Sequence, residues 1–447
     1  MCGPIGAANV GLHDGATGLA GDASRLAIGR DKEGGAAAET MSTYFDDLET
    51  RSTDAREADI ARVLPALVAH ARAKAPALAA HLGDLDARSI TDRAALARLP
   101  VIRKSGLGSA QADQPPFGGF AALPLTGFDH VFQSPGPIYE PGRVADDWWR
   151  LGRFLAATGI GRGDIVQNCF SYHLVPAGMM FENAARAVGA TVLPAGTGQT
   201  ELQVRAAADI GTTAYAGTPD YLKVILDKAD EMGVTLRIAK AAVGGGALFP
   251  SLRQVYADRG IVCRQCYATA DLGNIAYESN ALAGMIVDEG VIVEIVRPGT
   301  GDPVPDGEVG EVVVTTLNRD YPLIRFATGD LSAVLPGVSP CGRTNMRIKG
   351  WMGRADQTTK IKGMFVRPEQ VADFVSRHHE VSRARVIASR DGEMDVMTVQ
   401  VETRASNPAL YEGSVLDTLK LRGRVELVPP GSLPNDGKVI EDRRTYD

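Results

Sequence analysis

Residues 321–363 read YPLIRFATGDLSAVLPGVSPCGRTNMRIKGWMGRADQTTKIKG, and the interpretation of this stretch decides that of the whole chain. It sets Arg325, Asp330, Arg354, Asp356, Lys360 and Lys362 between short apolar runs and glycines. One interpretation is a charged β-hairpin exposed to water. The other follows from chemistry. An ionised carboxylate is acceptor-only with two oxygens, so an acid directly after Thr328-Gly329 can receive two adjacent hydroxyls, as a ribose offers. The following Gly353-Arg354 supplies a cation for phosphate oxygens. A hairpin with a purely structural role rarely needs so many charges at its strand ends, whereas functional loops do.

Upstream, from Gly163, the runs DIVQNCF, ATVLPA, TTAYAG, IAKAAVGG and IVCRQCY alternate with helical stretches after Pro176, Thr200, Pro219 and Pro250. This alternation predicts a mainly parallel sheet covered on both faces. Ligands on such sheets sit at the carboxyl ends of the strands, where GTPDYL (217–222), GGGALFPSLR (244–253) and YATADLG (267–273) fall. Without a Cβ, Gly244, Gly245 and Gly246 permit a flat ring to approach the backbone; a plain turn between strand and helix is the alternative.

After Tyr277 come short alternating runs, GVIVEIV, GEVGEVVVTTL, YPLIRFA and LSAVLP, broken by Gly and Pro, which predict an antiparallel distorted barrel. Beyond Asp356 a small domain is expected, with helices over PEQVADFVSRH and near Leu416. Its strands are RARVIASR, DVMTVQVE and GRVELVPP, before the tail SLPNDGKVIEDRR. Toward the N-terminus, Tyr44 to about Leu82 reads as helix with a break or kink at Pro65. Ile60, Val63, Leu64, Leu67 and Val68 form its core-facing stripe. Residues 1–40 are Gly- and Ala-rich without period and read as a disordered extension. The expected class is α/β. A large domain over 41–355 has mainly parallel sheets with helices plus the distorted β-barrel, and a small α+β domain over 356–447 follows.

At 447 residues the chain can hold two or three sizeable cores. Its net charge of −7 speaks against nucleic-acid or anionic-membrane partners. No run approaches the ~20 apolar residues of a membrane span, and no basic-then-apolar leader is present, so a cytoplasmic, reducing location is expected. Five cysteines make no disulfide framework in a chain this long. Cys263 and Cys266 fall on a predicted strand, where positions three apart face opposite sides and do not converge on one metal. A homodimer is the default oligomer for a soluble enzyme.

FATGD (326–330) and GRADQTTKIKG (353–363) resemble the nucleotide-ribose and hinge segments of the adenylate-forming superfamily, specifically its phenylacetate–CoA ligase branch. The likeness runs from Leu99 to the C-terminus in the family's motif order. It includes LPVIRKSGL (99–107), HVFQSPGPIYEPG (130–142), SYHLVPAG (171–178) and PAGTGQTELQV (194–204). It implies an AMP-forming acid–thiol ligase. An aromatic or similar organic carboxylate and ATP·Mg²⁺ would give acyl-AMP and pyrophosphate, after which CoA displaces AMP.

In these terms Asp330 holds the ribose hydroxyls, Tyr267 stacks on adenine beside Ala268, and Gly244 to Gly246 flank the ring. Ser134 belongs to the phosphate loop, Asp271 holds Mg²⁺, and Arg354 bridges ribose or phosphate. Lys438 reaches the carboxylate and α-phosphate oxygens, and the C-terminal lid turns about the hinge Asp356. Tyr172 and His173 line the carboxylate pocket.

The sequence also departs from the family. In the phosphate loop, Pro135, Pro137 and Glu140 stand among the residues replacing hydroxyls, a glycine and a lysine; each proline removes a donor, and Glu140 sets negative charge where an anion should sit. Asp271 replaces a glutamate with a side chain one methylene shorter. Where some relatives bind zinc, this chain has Ser279, Met285 and Ser339 beside Cys341, so no zinc is expected. Three interpretations stay open: a CoA ligase; an adenylating enzyme with another acceptor, such as a deazaflavin coenzyme; and a non-catalytic nucleotide- or acyl-binding protein. The last has no need of a mobile lysine.

Overall fold

The computed structural model describes residues 44–444, apart from 136, 146, 247, 356, 358, 363, 392–393 and 435–437. The expected extension over 1–40 and the hinge Asp356 lie outside the described residues. The five predicted strands form as Ile165–Asn168, Thr191–Leu193, Ala214–Gly217, Lys240–Val243 and Val262–Thr269, all paired in parallel. Helices Ala177–Ala187, Thr200–Ile210, Pro219–Glu231 and Pro250–Asp258 connect them. Pro219 and Pro250 open their helices at the one place where a missing N–H has no consequence.

Period-two alternation sends Val166, Ala216, Ala242 and Cys266 into one core with Phe181 and Ala184. Tyr215, Ala241, Val243 and Cys263 enter another with Leu222 and Tyr256. The two cysteines therefore face opposite sides of the sheet. Full burial of a side chain such as Leu222 contributes about 2 kcal/mol.

Antiparallel strands Gly273–Glu278, Met285–Val287, Arg347–Ile348 and Val334–Leu335 extend this sheet to nine strands. Val291–Val296, Gly310–Thr316 and Phe326–Ser332 form a separate four-stranded sheet whose edge is Ile102–Arg103. Among the described residues no closed barrel forms, contrary to the sequence expectation. The short strands after Tyr277 divide between two sheets, and the parallel edge strand Ile102–Arg103 comes from far upstream.

YPLIRFA is not a strand until its sixth residue. Arg325 has φ 50 and is 2% exposed. Its guanidinium donates to the carbonyls of Ala97 and Gly301 at 2.7 Å, to that of Leu99, and to the Glu294 carboxylate at 3.0 Å. A buried charge must be paired this completely, and the chain turns to do so.

Near the N-terminus the helix Thr53–Lys74 runs through Pro65, and the break falls at Ala75, ahead of Pro76. The residue before a proline is pushed to extended backbone. Burial of Ile60, Leu64, Leu67 and Val68 outweighs the single donor lost at Pro65. Among the described residues no helix is long and apolar enough to cross a membrane.

Pro368–Ser376, Arg383–Asp391, Met394–Glu402, Ala409–Leu419 and Arg424–Val428 follow in the expected order. They share a core of their own around Phe374, Val386, Val399, Tyr411 and Val415. The expected tail is partly strand: Ile440–Asp442 pairs in parallel with Arg383–Asp391, burying Ile440.

Candidate active site

Asp330 lies within the strand Phe326–Ser332, not in a loop. Gly329 has φ 76, and the register against Gly310–Thr316 shifts nearby, as a bulge requires. A Cβ at Gly329 would meet the Arg354 guanidinium at 2.9 Å. The 351–355 segment runs antiparallel alongside, with Leu331 N–H donating to Gly353 O at 2.9 Å and Ala355 N–H to Gly329 O at 2.7 Å.

The Asp330 carboxylate is thereby ringed by donors. Arg354 Nη1 gives to Oδ1 at 2.9 Å, Trp351 Nε1 gives to the same oxygen at 3.1 Å, and the Tyr267 hydroxyl gives to Oδ2 at 2.9 Å. Tyr267 is 8% exposed; burial first, then the Asp330 carboxylate, pushes its phenol well above the ordinary range. Thr328, Gly329 and Arg354 face a cavity of about 770 Å³ together with Arg103, Lys104 and Arg367. The site is built from buried parts, so the solvated charged hairpin is excluded for Asp330 and Arg325.

The phosphate-loop segment forms a β-hairpin, His130–Ser134 against Ile138–Gly142, with Ser134 opposite Ile138. Gln111 clamps it by donating to Tyr139 O and accepting from Tyr139 N–H, both at 2.8 Å. Glu140 consequently points inward. It is fully buried, and neither carboxylate oxygen has a hydrogen-bond partner among the described residues. Burial first, then the Asp271 carboxylate, pushes its pKa up to about 8, with Ser134 and Lys104 acting in the opposite sense. Burial therefore favours the neutral form of Glu140 over the negative charge expected at this loop.

Asp271 Oδ2 takes an ion pair from Lys104 at 2.5 Å, while Oδ1 is buried with no partner among the described residues. One orphaned oxygen fits a magnesium ion held mainly by phosphate and water oxygens.

Further expected site residues have these neighbours. Gly244 follows Lys240–Val243, and a Cβ there would meet Cys266 Sγ at 3.0 Å. Gly245 and Gly246 sit beside Thr218 and Pro219. Ala268 marks a register shift against Gly273–Glu278 and packs into the core.

Tyr172 and His173 line a cavity of about 430 Å³ with Pro194, Gly196, Gln199 and Gln203, apart from the Asp330 wall. Asn168 Nδ2 donates to the Tyr172 hydroxyl at 2.8 Å. His173 is exposed.

Lys438 is exposed and lines a third cavity with Arg297, Asp302, Glu308, Val371 and Leu433, so this arrangement does not bring it to Asp330. At the positions considered for zinc, Ser339 Oγ lies 3.1 Å from Cys341 Sγ. Burial opposes the Cys341 thiolate, but hydrogen bonds from Ser279 and Ser339 outweigh it and hold the thiol below its ordinary pKa. One thiol and two hydroxyls are a poor zinc donor set.

Sequence reading gave no role to Lys104 or Trp351. Lys104 is 167 positions from its partner Asp271, beyond any local pattern. Trp351 carried one usable signal, an aromatic residue two places before Gly353-Arg354.

A scan against models of protein families finds no match. The chain is 30% identical over 352 residues to phenylacetate-coenzyme A ligase of Aromatoleum evansii, covering 75% of this chain and 77% of that one. It is 29% identical over 396 residues to the enzyme of that name from Thermus thermophilus, covering 79% and 87%. Against the Escherichia coli enzyme the figures are 28% over 443 residues, covering 91% and 98%. Among solved structures, 2-hydroxyisobutyryl-CoA ligase in complex with 2-HIB-AMP and CoA superposes with a TM-score of 0.65 at 23% identity. That match covers 90% of this chain and 93% of the other, a likeness of fold.

Proposed function

The chain belongs to the phenylacetate–coenzyme A ligase family, and from that premise we propose that it is an ATP-dependent, AMP-forming acid–CoA ligase. Its substrate is an aromatic or similar organic carboxylate, activated as acyl-AMP and passed to CoA. The observation that carries this is the buried Asp330 carboxylate, ringed by Tyr267, Trp351 and Arg354 beside a cavity of about 770 Å³.

A carboxylate resists attack because its charge is delocalised and oxide leaves badly. Adenylation supplies a leaving group, and catalysis is then chiefly positioning and charge neutralisation. Asp330 accepts the ribose hydroxyls, with Tyr267 fixing the carboxylate from behind. The cations Arg103, Lys104, Arg354 and Arg367 on the same cavity wall complement phosphate oxygens. A protonated Glu140 leaves the hairpin free of the charge that would repel them. Asp271 is the residue that would hold Mg²⁺, which supplies charge neutralisation on the phosphates.

Lys438 belongs to the adenylation step and reaches the acyl-phosphate oxygens after the 356–447 domain turns about Asp356. Its position on a different cavity wall, with Arg367 to Glu369 of the same domain facing the Asp330 cavity, fits a chain turned away from that step. Tyr172 and His173 belong to the carboxylate side.

Pyrophosphate release from ATP with a panel of carboxylic acids tests this. Release that needs an aromatic acid, with acyl-CoA formed when CoA is added, is expected. Acyl-AMP that accumulates and never reacts with CoA would assign another acceptor, and no release with any acid would leave a binding protein.

A further inference from the structure

We propose that Trp351 is a positioning residue for the nucleotide: its indole N–H occupies on Asp330 the acceptor position that one ribose hydroxyl takes. This rests on the reading of Asp330 as the ribose ligand. An ionised carboxylate has about four lone-pair positions. In Asp330 two on Oδ1 are filled by Trp351 and Arg354, and one on Oδ2 by Tyr267. Among the described residues one position is left open, and a ribose brings two hydroxyls, so a donor has to give way.

The three donors differ in how readily they can do so. Tyr267 is locked, 8% exposed and bonded also to Thr328 Oγ1 at 3.0 Å. Arg354 is as exposed as Trp351, its side chain 56% open, but it adds the attraction of opposite charges and carries further N–H groups, so it can meet a ribose or phosphate oxygen and still keep the carboxylate. Trp351 has a single uncharged N–H to give to the carboxylate, and the residue is 57% exposed. Its indole can swing out without opening the core. Trp351 therefore yields to the ribose. Until a nucleotide binds, it keeps the Asp330 carboxylate aimed and satisfied, where an unpaired buried acceptor would be unfavourable.

Removal of the indole N–H should accordingly favour nucleotides that present both hydroxyls. In Trp351→Phe the competing donor is gone while an aromatic ring remains, and AMP should bind about three- to tenfold more tightly, the net worth of about one hydrogen bond. 2′-Deoxy-AMP needs only the open position, so its affinity should not change. Calorimetric titration of full-length wild type and W351F with AMP and 2′-deoxy-AMP reads both. Addition of AMP should also shift the indole emission of wild type, with that shift missing in W351F. Equal gains for the two nucleotides, or weaker AMP binding by W351F, overturn the proposal. Asp330→Ala separates the two levels. If D330A binds AMP as wild type does, the ribose reading itself falls. If D330A loses AMP while W351F behaves as wild type, only the role of Trp351 falls.

Discussion

Replacement of Glu140 by glutamine should stabilise the protein increasingly as pH rises. Glu140 is fully buried with no hydrogen-bond partner among the described residues, and its pKa is pushed from 4.5 up to about 8, by burial first and the Asp271 carboxylate second. The sign follows from linkage. The folded state keeps a proton that the unfolded chain releases at ordinary carboxyl pH. The favourable contribution is therefore complete below about pH 4.5 and is lost as pH climbs through about 8.

Each unit in that window removes about 1.4 kcal/mol, so the total reaches roughly 5 kcal/mol and then levels off. Glutamine has the same shape and does not titrate, and its unpaired amide carries a pH-independent penalty. Urea unfolding of wild type and E140Q at pH 5, 7 and 9 gives the comparison. The stability difference should move by about 3–4 kcal/mol in favour of E140Q between the extremes. Asp147, which burial pushes up to about 7, is common to both proteins and cancels. A difference that stays flat from pH 5 to pH 9 would mean that Glu140 is ionised in the folded protein, and the account of the hairpin would fail.

Two further outcomes are expected. Lys438→Ala should abolish acid-dependent pyrophosphate release, and unchanged release would remove it from the mechanism. Cys341 should react with iodoacetamide before Cys169, Cys263 and Cys266, whose thiols burial pushes up to about 12, as read by peptide mass mapping. Ser339→Ala should slow that reaction, and an equal rate would deny the hydroxyl its effect on the thiol.

The parallel half of the large sheet was legible because its signals are local. Apolar runs alternate with proline-started helices, and period two sends Cys263 and Cys266 to opposite faces. Thr328-Gly329-Asp330 was legible as a polar turn of unusual chemistry, although it sits inside a strand at a bulge. What escaped depends on distant partners. The barrel dissolved because Ile102–Arg103 supplies an edge from more than two hundred residues away from Phe326–Ser332.

The ionisation of Glu140 could not be read from its letter, since burial by the Gln111-clamped hairpin decides it. Lys104 and Asp271 meet only through the fold. The backbone turn at Arg325 answers to carbonyls of two separate segments and to the Glu294 carboxylate of a third. Ile440–Asp442 looked like a charged tail because charged and polar residues flank Val439 and Ile440, yet pairing with Arg383–Asp391 makes it a strand.

The most direct trial of the central claim is a crystal of the full chain soaked with AMP. The account predicts the ribose hydroxyls within hydrogen-bonding distance of the Asp330 carboxylate, with the Trp351 indole swung away. AMP bound elsewhere, or a cleft in which Asp330 keeps all three present donors and contacts no sugar, would contradict it.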